Sequence, residues 1–183
     1  TPPAEPLALA TVLTAKVSVP GKIKHRLTAA AQFIENFKHR KTLVGAMDAA
    51  FSLPASPSPL HAWLAAQPSP LLVDTWYDDT FRGALAGRSD WAEVQGLSQS
   101  EHFGTWVGWY GADGSASPDP LAPTTVLYKP WGSHGPAGNF LVSDTDFVEV
   151  LTEIDIQTPI PALVQQRRAS LGFVFLGCRF NDQ

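Results

Sequence analysis

Apolar residues recur at helical spacing early in the chain. Leu27, Ala30, Ala31, Ile34 and Phe37 lie three or four apart, and Leu43, Val44, Met47 and Phe51 carry the pattern onto a second segment. A period near 3.6 predicts two amphipathic helices whose stripes face a core. Pro54 to Pro59 holds three prolines among serine and alanine, which predicts a loop before a short helical pattern from Leu60 to Ala66. The character then changes. Leu71-Leu72-Val73 is a brief apolar run between Pro70 and Asp74-Thr75, the pattern of a buried strand whose carboxyl end enters a loop. Asp78 or Asp79 is placed to cap a following helix that carries Phe81, Ala84 and Leu85.

From Trp91 to Tyr110 no period stands out, although Thr105 to Tyr110 has strand composition, so an excursion or small subdomain is expected there. Gly111 to Pro123 is rich in Gly, Ser, Asp and Pro and reads as a mobile surface loop; residues 88–123 together read as a loop-rich insertion. A second buried strand, Thr125 to Tyr128, runs into Lys129-Pro130-Trp131-Gly132-Ser133. After Phe140-Leu141-Val142, Ser143 and Asp146 stand three apart, the spacing of a reciprocal helix cap, and Phe147, Val150, Leu151 and Ile154 form that helix's apolar face. Pro159 and Pro161 mark a turn, with Pro161 suited to the first position of a helix ending near Arg168. Leu171 to Leu176 reads as a third apolar strand closed by Gly177. Strands alternating with helices predict a single α/β domain over residues 1–183, Rossmann-like and three-layered with a mostly parallel sheet; residues 1–22 are not assigned. In such sheets ligands bind beyond the carboxyl ends of the strands. That rule selects Asp74 to Asp78, Lys129 to Ser133, and Gly177 with its neighbours.

Composition narrows the partners. At 183 residues, 44% hydrophobic and 16% charged, the chain is an ordinary globular domain, and 16 prolines with 14 glycines imply many loops. Thirteen basic against 17 acidic residues give a formal charge of −4, with no basic block long enough to follow a phosphate backbone, so nucleic acid is not an expected partner. The densest basic stretch, Lys22 to Lys41, including Arg40, reads as a solvated helix surface. The single cysteine, Cys178, permits neither an internal disulfide nor a zinc site, which points to a reducing, cytoplasmic setting; beside a strand it reads as a small apolar filler. No apolar run reaches the roughly 18 residues of a membrane span, and the start, Thr1-Pro2-Pro3, has neither an initiator Met nor a signal-peptide pattern.

Four segments in order carry a resemblance: Leu72-Val73-Asp74-Thr75-Trp76-Tyr77-Asp78, Tyr128-Lys129-Pro130-Trp131-Gly132-Ser133, the helix cap from Ser143 to Val150, and Phe175-Leu176-Gly177 with Asp182. Pro59-Leu60-His61 with Leu64-Ala65 adds a fifth. The chain resembles the SIR2-like domains of bacterial proteins, relatives of the sirtuins. Their members read approximately as a strand into Thr-Thr-Asn-Tyr-Asp, then Lys-x-His-Gly-Ser, a capped helix, and Phe-x-Gly. The resemblance implies an NAD pocket in which the motif Asn holds the nicotinamide ribose or a water and the motif His is the base, with protein deacylation or NAD hydrolysis as the chemistry. By position it would draw cofactor contacts from Thr75, Asp78, Gly132, Ser133 and Gly177.

At the two decisive positions the chain departs from this pattern. Trp76 stands for Asn and Trp131 for His. An indole has one N–H donor, no acceptor lone pair and no accessible pKa, so it cannot act as a general base. The family's Gly-Ala-Gly phosphate loop is also missing from the N-terminal part; Val17-Ser18-Val19-Pro20-Gly21-Lys22 is the nearest substitute. The reading is of a domain incomplete at one or both ends, lacking the first strand and some of the C-terminal side.

Three functions follow from these residues. The first is a catalytically degenerate domain that binds NAD, ADP-ribose or a protein partner. The second is an NAD-consuming enzyme in which His134, Asp78 or a residue outside this sequence supplies the missing group. The third is a structural or assembly module without a ligand, and oligomers are compatible with each. Set against these are ordinary roles: a solvated loop for His134, local packing or capping for His61, and surface positions for His25, His39 and His102. Asp78 and Asp79 can be simple caps, Ser133 a turn serine, and Trp106 and Trp109 core aromatics instead of base-stacking platforms. The resemblance places Trp76 and Trp131 near each other at the carboxyl edge of the sheet.

Overall fold

The N-terminal stripes form helices that pack on one another. A computed structural model describes residues 1–118, 122–154, 159–169 and 171–178. Helices α1 (Pro6–Thr14), α2 (Leu27–Lys38) and α3 (Arg40–Phe51) bury Leu9 and Leu13, Ala31 and Ile34, and Leu43, Met47 and Phe51 in one cluster. α1 comes from the segment left unassigned by the sequence; Pro6 occupies its first turn, where a missing N–H costs nothing. His39, at φ 70°, breaks the path between α2 and α3 and turns one long apolar stripe into two helices. Helix α4 (Pro59–Ala66) starts at Ser58, whose hydroxyl accepts from His61 N–H while the Ser58 N–H donates to His61 Nδ1, so His61 is a local cap.

The sheet contains β1 (Leu71–Val73), β2 (Trp91–Gly96), β3 (Val107–Gly111), β4 (Ala116–Ser117) and β5 (Thr125–Lys129), in the order β1-β5-β2-β3-β4. β5 runs parallel to both neighbours, with Leu127 opposite Leu72 on one side and Glu93 on the other. β3 and β4 extend the sheet antiparallel from β2. Helix α5 (Thr80–Leu85) follows β1, the small hairpin β6 (Gly132–Ser133) and β7 (Asn139–Phe140) follows β5, and α6 (Asp144–Glu153) and α7 (Ala162–Arg168) come after. The fold is mixed α/β with a parallel centre, compatible with a Rossmann-like arrangement. Among the described residues no helix is long and apolar enough to cross a membrane.

Several expectations need correction. The stretch read as an excursion contains β2, whose six residues are all buried. Its sequence, Trp-Ala-Glu-Val-Gln-Gly, conceals this because Glu93 and Gln95 are buried through polar partners instead of through hydrophobicity. Part of the loop expected from Gly111 to Pro123 is the β3–β4 hairpin. β1 is an edge strand with Val73 48% exposed, where a fully buried strand was expected. Leu171 to Leu176 is not a strand. Its composition favours extended backbone, but a strand exists only through its ladder, and none of the described strands pairs with this exposed segment. Cys178 is consequently exposed and fills no core space. Val17 to Lys22 is bend and turn with no strand before it, and a side chain at Gly21 would meet open space, so no close backbone approach requires that glycine. Pro161 precedes α7 as its cap residue. From α7, Arg167 donates to the carbonyls of Pro70, Pro123 and Thr124, tying the helix to the amino ends of β1 and β5.

Candidate functional site

The carboxyl ends of β1 and β5 bring two of the three expected segments together. Asp74 N–H donates to Tyr128 O at 2.9 Å and prolongs the β1–β5 ladder by one bond. The Asp74 side chain then turns the backbone by accepting from Trp76 N–H at 3.0 Å. Tyr77 points into the protein, donates its hydroxyl to Leu141 O at 2.8 Å and packs against Phe51 and Phe140. Burial pushes its phenol well above the ordinary tyrosine range, so it stays neutral. Trp76 lies edge-on to Phe51 with its indole N–H on Pro3 O at 2.9 Å, which brings the N-terminal segment over this loop.

Lys129 links the two strand ends. The side chain is buried and its ammonium donates to Asp74 Oδ2 at 2.7 Å and to Asp78 O at 2.6 Å. A lysine held this way is a structural bolt between the loops after β1 and β5. Replacing it with methionine leaves Asp74 without its cation and is expected to cost about 3 kcal/mol of stability. Urea unfolding of Lys129→Met and of Lys129→Met/Asp74→Asn checks this, since the double variant should recover part of the loss.

After the lysine, Trp131 turns toward α6 and meets Phe147 edge-on, ring centroids 4.8 Å apart. Trp76 and Trp131 pack against the same helical core cluster. Gly132 adopts φ 77°, and a side chain there would run into the Asn139 carbonyl. Ser133 is buried; its hydroxyl donates to Tyr77 O at 3.0 Å and contacts Asp79 Oδ1 at 3.2 Å. Asp78 Oδ1 accepts from Thr80 N–H at 2.9 Å and braces the start of α5, whereas Asp79, at the cap position, makes no side-chain cap bond to the helix and instead accepts from Gly135 N–H at 3.1 Å, tying α5 to the segment after β6. Thr75 is exposed on the same loop. His134 N–H donates to Tyr77 O, and its Nδ1 lies 3.0 Å from Asp48 Oδ1 on α3 without the alignment of a hydrogen bond. Gly177 is not brought to this edge by any described strand; it has φ 70° on the exposed segment after α7. Asp182 lies outside the described residues.

Sequence reasoning missed the ion network beneath the site. Arg40, read as part of a solvated surface, donates to Asp146 Oδ2 at 2.8 Å and Phe140 O at 2.5 Å, and contacts Glu35 and Glu101 at 3.4 Å. Asp146 also accepts from Ser98 Oγ and from the N–H groups of Val142 and Ser143. Burial alone would raise its carboxyl, but Arg40 and these donors hold it below the usual range. The capping spacing of Ser143 and Asp146 was legible; the arginine over 100 residues upstream in sequence was not. A second buried acid, Glu93, is pushed up by burial against the pull of Arg82 and Lys129.

Residues 70–183 match the family model of the SIR2-like domain. The chain belongs to the SIR2-like domain family. No curated protein matches it. In this SIR2-like domain Lys129 and Ser133 knit the strand ends together, with Trp76 and Trp131 on the two loops beside them. Among the described residues no group of three or more His, Cys, Asp or Glu could hold a metal ion.

Proposed function

We propose that this SIR2-like domain binds a nucleotide of the NAD or ADP-ribose type, or a protein partner, without turning NAD over. The observation that carries the reading is Trp131: at the motif's base position stands an indole without a lone pair, packed edge-on against Phe147. Trp76 adds to it, because its one polar group is already hydrogen-bonded to Pro3 O. Thr75, Asp78, Gly132 and Ser133 remain the proposed ligand edge, contributing through loop shape and backbone, since the Ser133 hydroxyl is committed internally. Gly177 is left out of that edge.

A second reading, NAD hydrolysis or deacylation with His134 as base, draws on Asp48 beside its Nδ1. A carboxylate there can orient the ring and leave Nε2 as the acceptor. Incubating the protein with NAD separates the two. The expected result is no release of nicotinamide, together with a rise in melting temperature at millimolar NAD or ADP-ribose, as a ligand selective for the folded state requires. Cleavage that disappears in His134→Ala overturns the non-catalytic reading. Absence of any thermal shift with either nucleotide overturns nucleotide binding and leaves a protein-binding or assembly module.

A further inference from the structure

A single residue joins α2 to α3. His39 ends the first helix and begins the second, with φ 70° and ψ 152°, and no side-chain bond caps the start of α3. That backbone region is open to glycine but strained for any residue with a Cβ, so it persists only where surrounding contacts impose it. The contacts here are those of the core. Leu9, Leu13, Ala31 and Ile34 before the hinge meet Leu43, Met47, Phe51 and Phe140 after it in one buried cluster.

Such packing does not require both sides to belong to one chain. Straightened through His39, α2 and α3 become one helix from Leu27 to Phe51, a stretch without proline. Arg40 and Lys41, the first residues of α3, have N–H groups that no helix carbonyl takes; in the straight form they return to the carbonyls of Asn36 and Phe37. Ile34 and Leu43 lie about half a turn apart around such a helix at 3.6 residues per turn, so the buried faces of its two halves point to opposite sides. One half then stays on its own body and the other reaches a second body. A second copy offers the matching core with identical partners, so the exchange gives up no contact outside the hinge and relieves the strain within it.

We propose that this chain forms a domain-swapped dimer, in which the segment up to Lys38, with α1 and α2, docks on the body of a second copy and His39 lies inside a continuous α2–α3 helix. The exchange rests on the hinge and the core, apart from any nucleotide at the strand ends. Without strain the two forms would balance near the effective concentration of the tethered segment, on the order of millimolar for a short linker. Relief at two hinges, each worth about fivefold or more, brings that balance to roughly tens of micromolar or lower.

The full chain, unfolded in urea and refolded at high micromolar concentration, should separate by gel filtration with light scattering into monomer and dimer. In His39→Gly the kinked form loses its strain, and dimer formation should weaken about 25-fold or more. In His39→Ala the Cβ and its strain stay while the straight helix gains propensity, and dimer formation should strengthen about fivefold. A cross-link separates exchange from surface contact. Thr145 N–H on α6 donates to Gln32 Oε1 on α2 at 2.7 Å. Gln32→Cys/Thr145→Cys, in a Cys178→Ser background and joined by a short bismaleimide, therefore links a chain to itself in the monomer and two chains to each other in the swapped dimer. A monomer at every concentration in the unsubstituted protein and both His39 variants overturns the proposal. So does a dimer that fails to weaken in His39→Gly and strengthen in His39→Ala, or one whose cross-links stay within single chains on a denaturing gel.

Discussion

Asp146→Ala should lower the unfolding free energy by about 4 to 5 kcal/mol, the upper range for removing one member of a buried ion pair. The side chain is 0% exposed and its arginine partner 13%. Its loss removes the shortest of the three carboxylate contacts of Arg40, leaving those to Glu35 and Glu101 at 3.4 Å, and leaves the Ser98 hydroxyl and the N–H groups of Val142 and Ser143 without their acceptor. It also removes one half of the reciprocal cap at the start of α6. Chemical denaturation measures the change, and Asp146→Asn should fall between, since an amide oxygen accepts some of the same bonds without the charge. The same pair sets the acid limit. Because the folded carboxyl titrates below its unfolded value of about 3.9, its contribution is complete above that value and is lost as pH falls through the lowered folded value. Glu93 acts in the opposite sense: with its folded carboxyl raised, it favours the folded state at low pH and less so as pH rises through the raised value. An acid unfolding curve of the protein should therefore lie below about pH 4, and Asp146→Asn should flatten it.

Gly132→Ala is expected to be the most damaging single methyl group, at about 5 kcal/mol or loss of the folded state. Two penalties coincide there. The φ of 77° is left-handed, which costs an alanine roughly 1 to 2 kcal/mol. Its Cβ would also enter the space of the Asn139 carbonyl in the paired strand, so the β6–β7 hairpin must open. Opening it displaces Ser133 from Tyr77 O and Asn139 from Ser98 N–H. Thermal unfolding of this variant against Gly138→Ala, also at positive φ but with nothing closer than 3.7 Å, separates the strain from the collision.

The sequence showed what depends on local periodicity and turn chemistry. The stripes from Leu27 to Phe51, the apolar runs at Leu71 and Thr125, and the Ser143–Asp146 cap each encode their element within about four residues, so each was readable. β2 was not, because Glu93 and Gln95 owe their burial to each other and to Arg82 and the Gly135 carbonyl, which folding brings from outside the strand. Leu171 to Leu176 failed for the converse reason: its composition is that of a strand, but pairing is a property of two segments. At the site, the two strand-end segments that carry Trp76 and Trp131 were legible in one dimension. The uses of Lys129, Arg40 and Tyr77 were not, since each reaches across more than 50 residues of sequence.

β1, the strand that delivers Trp76, has a single ladder partner among the described residues. β5 is held on both sides. Local opening free energy grows with the hydrogen bonds and buried contacts that must be given up, so the segment from Leu71 into the tryptophan loop belongs to the least protected part of the sheet. The loop that carries Trp76 thus follows an edge strand, and its anchorage comes from Lys129 and Tyr77 more than from the ladder. The affinity of a ligand that bound there would include the free energy of fixing that edge in place.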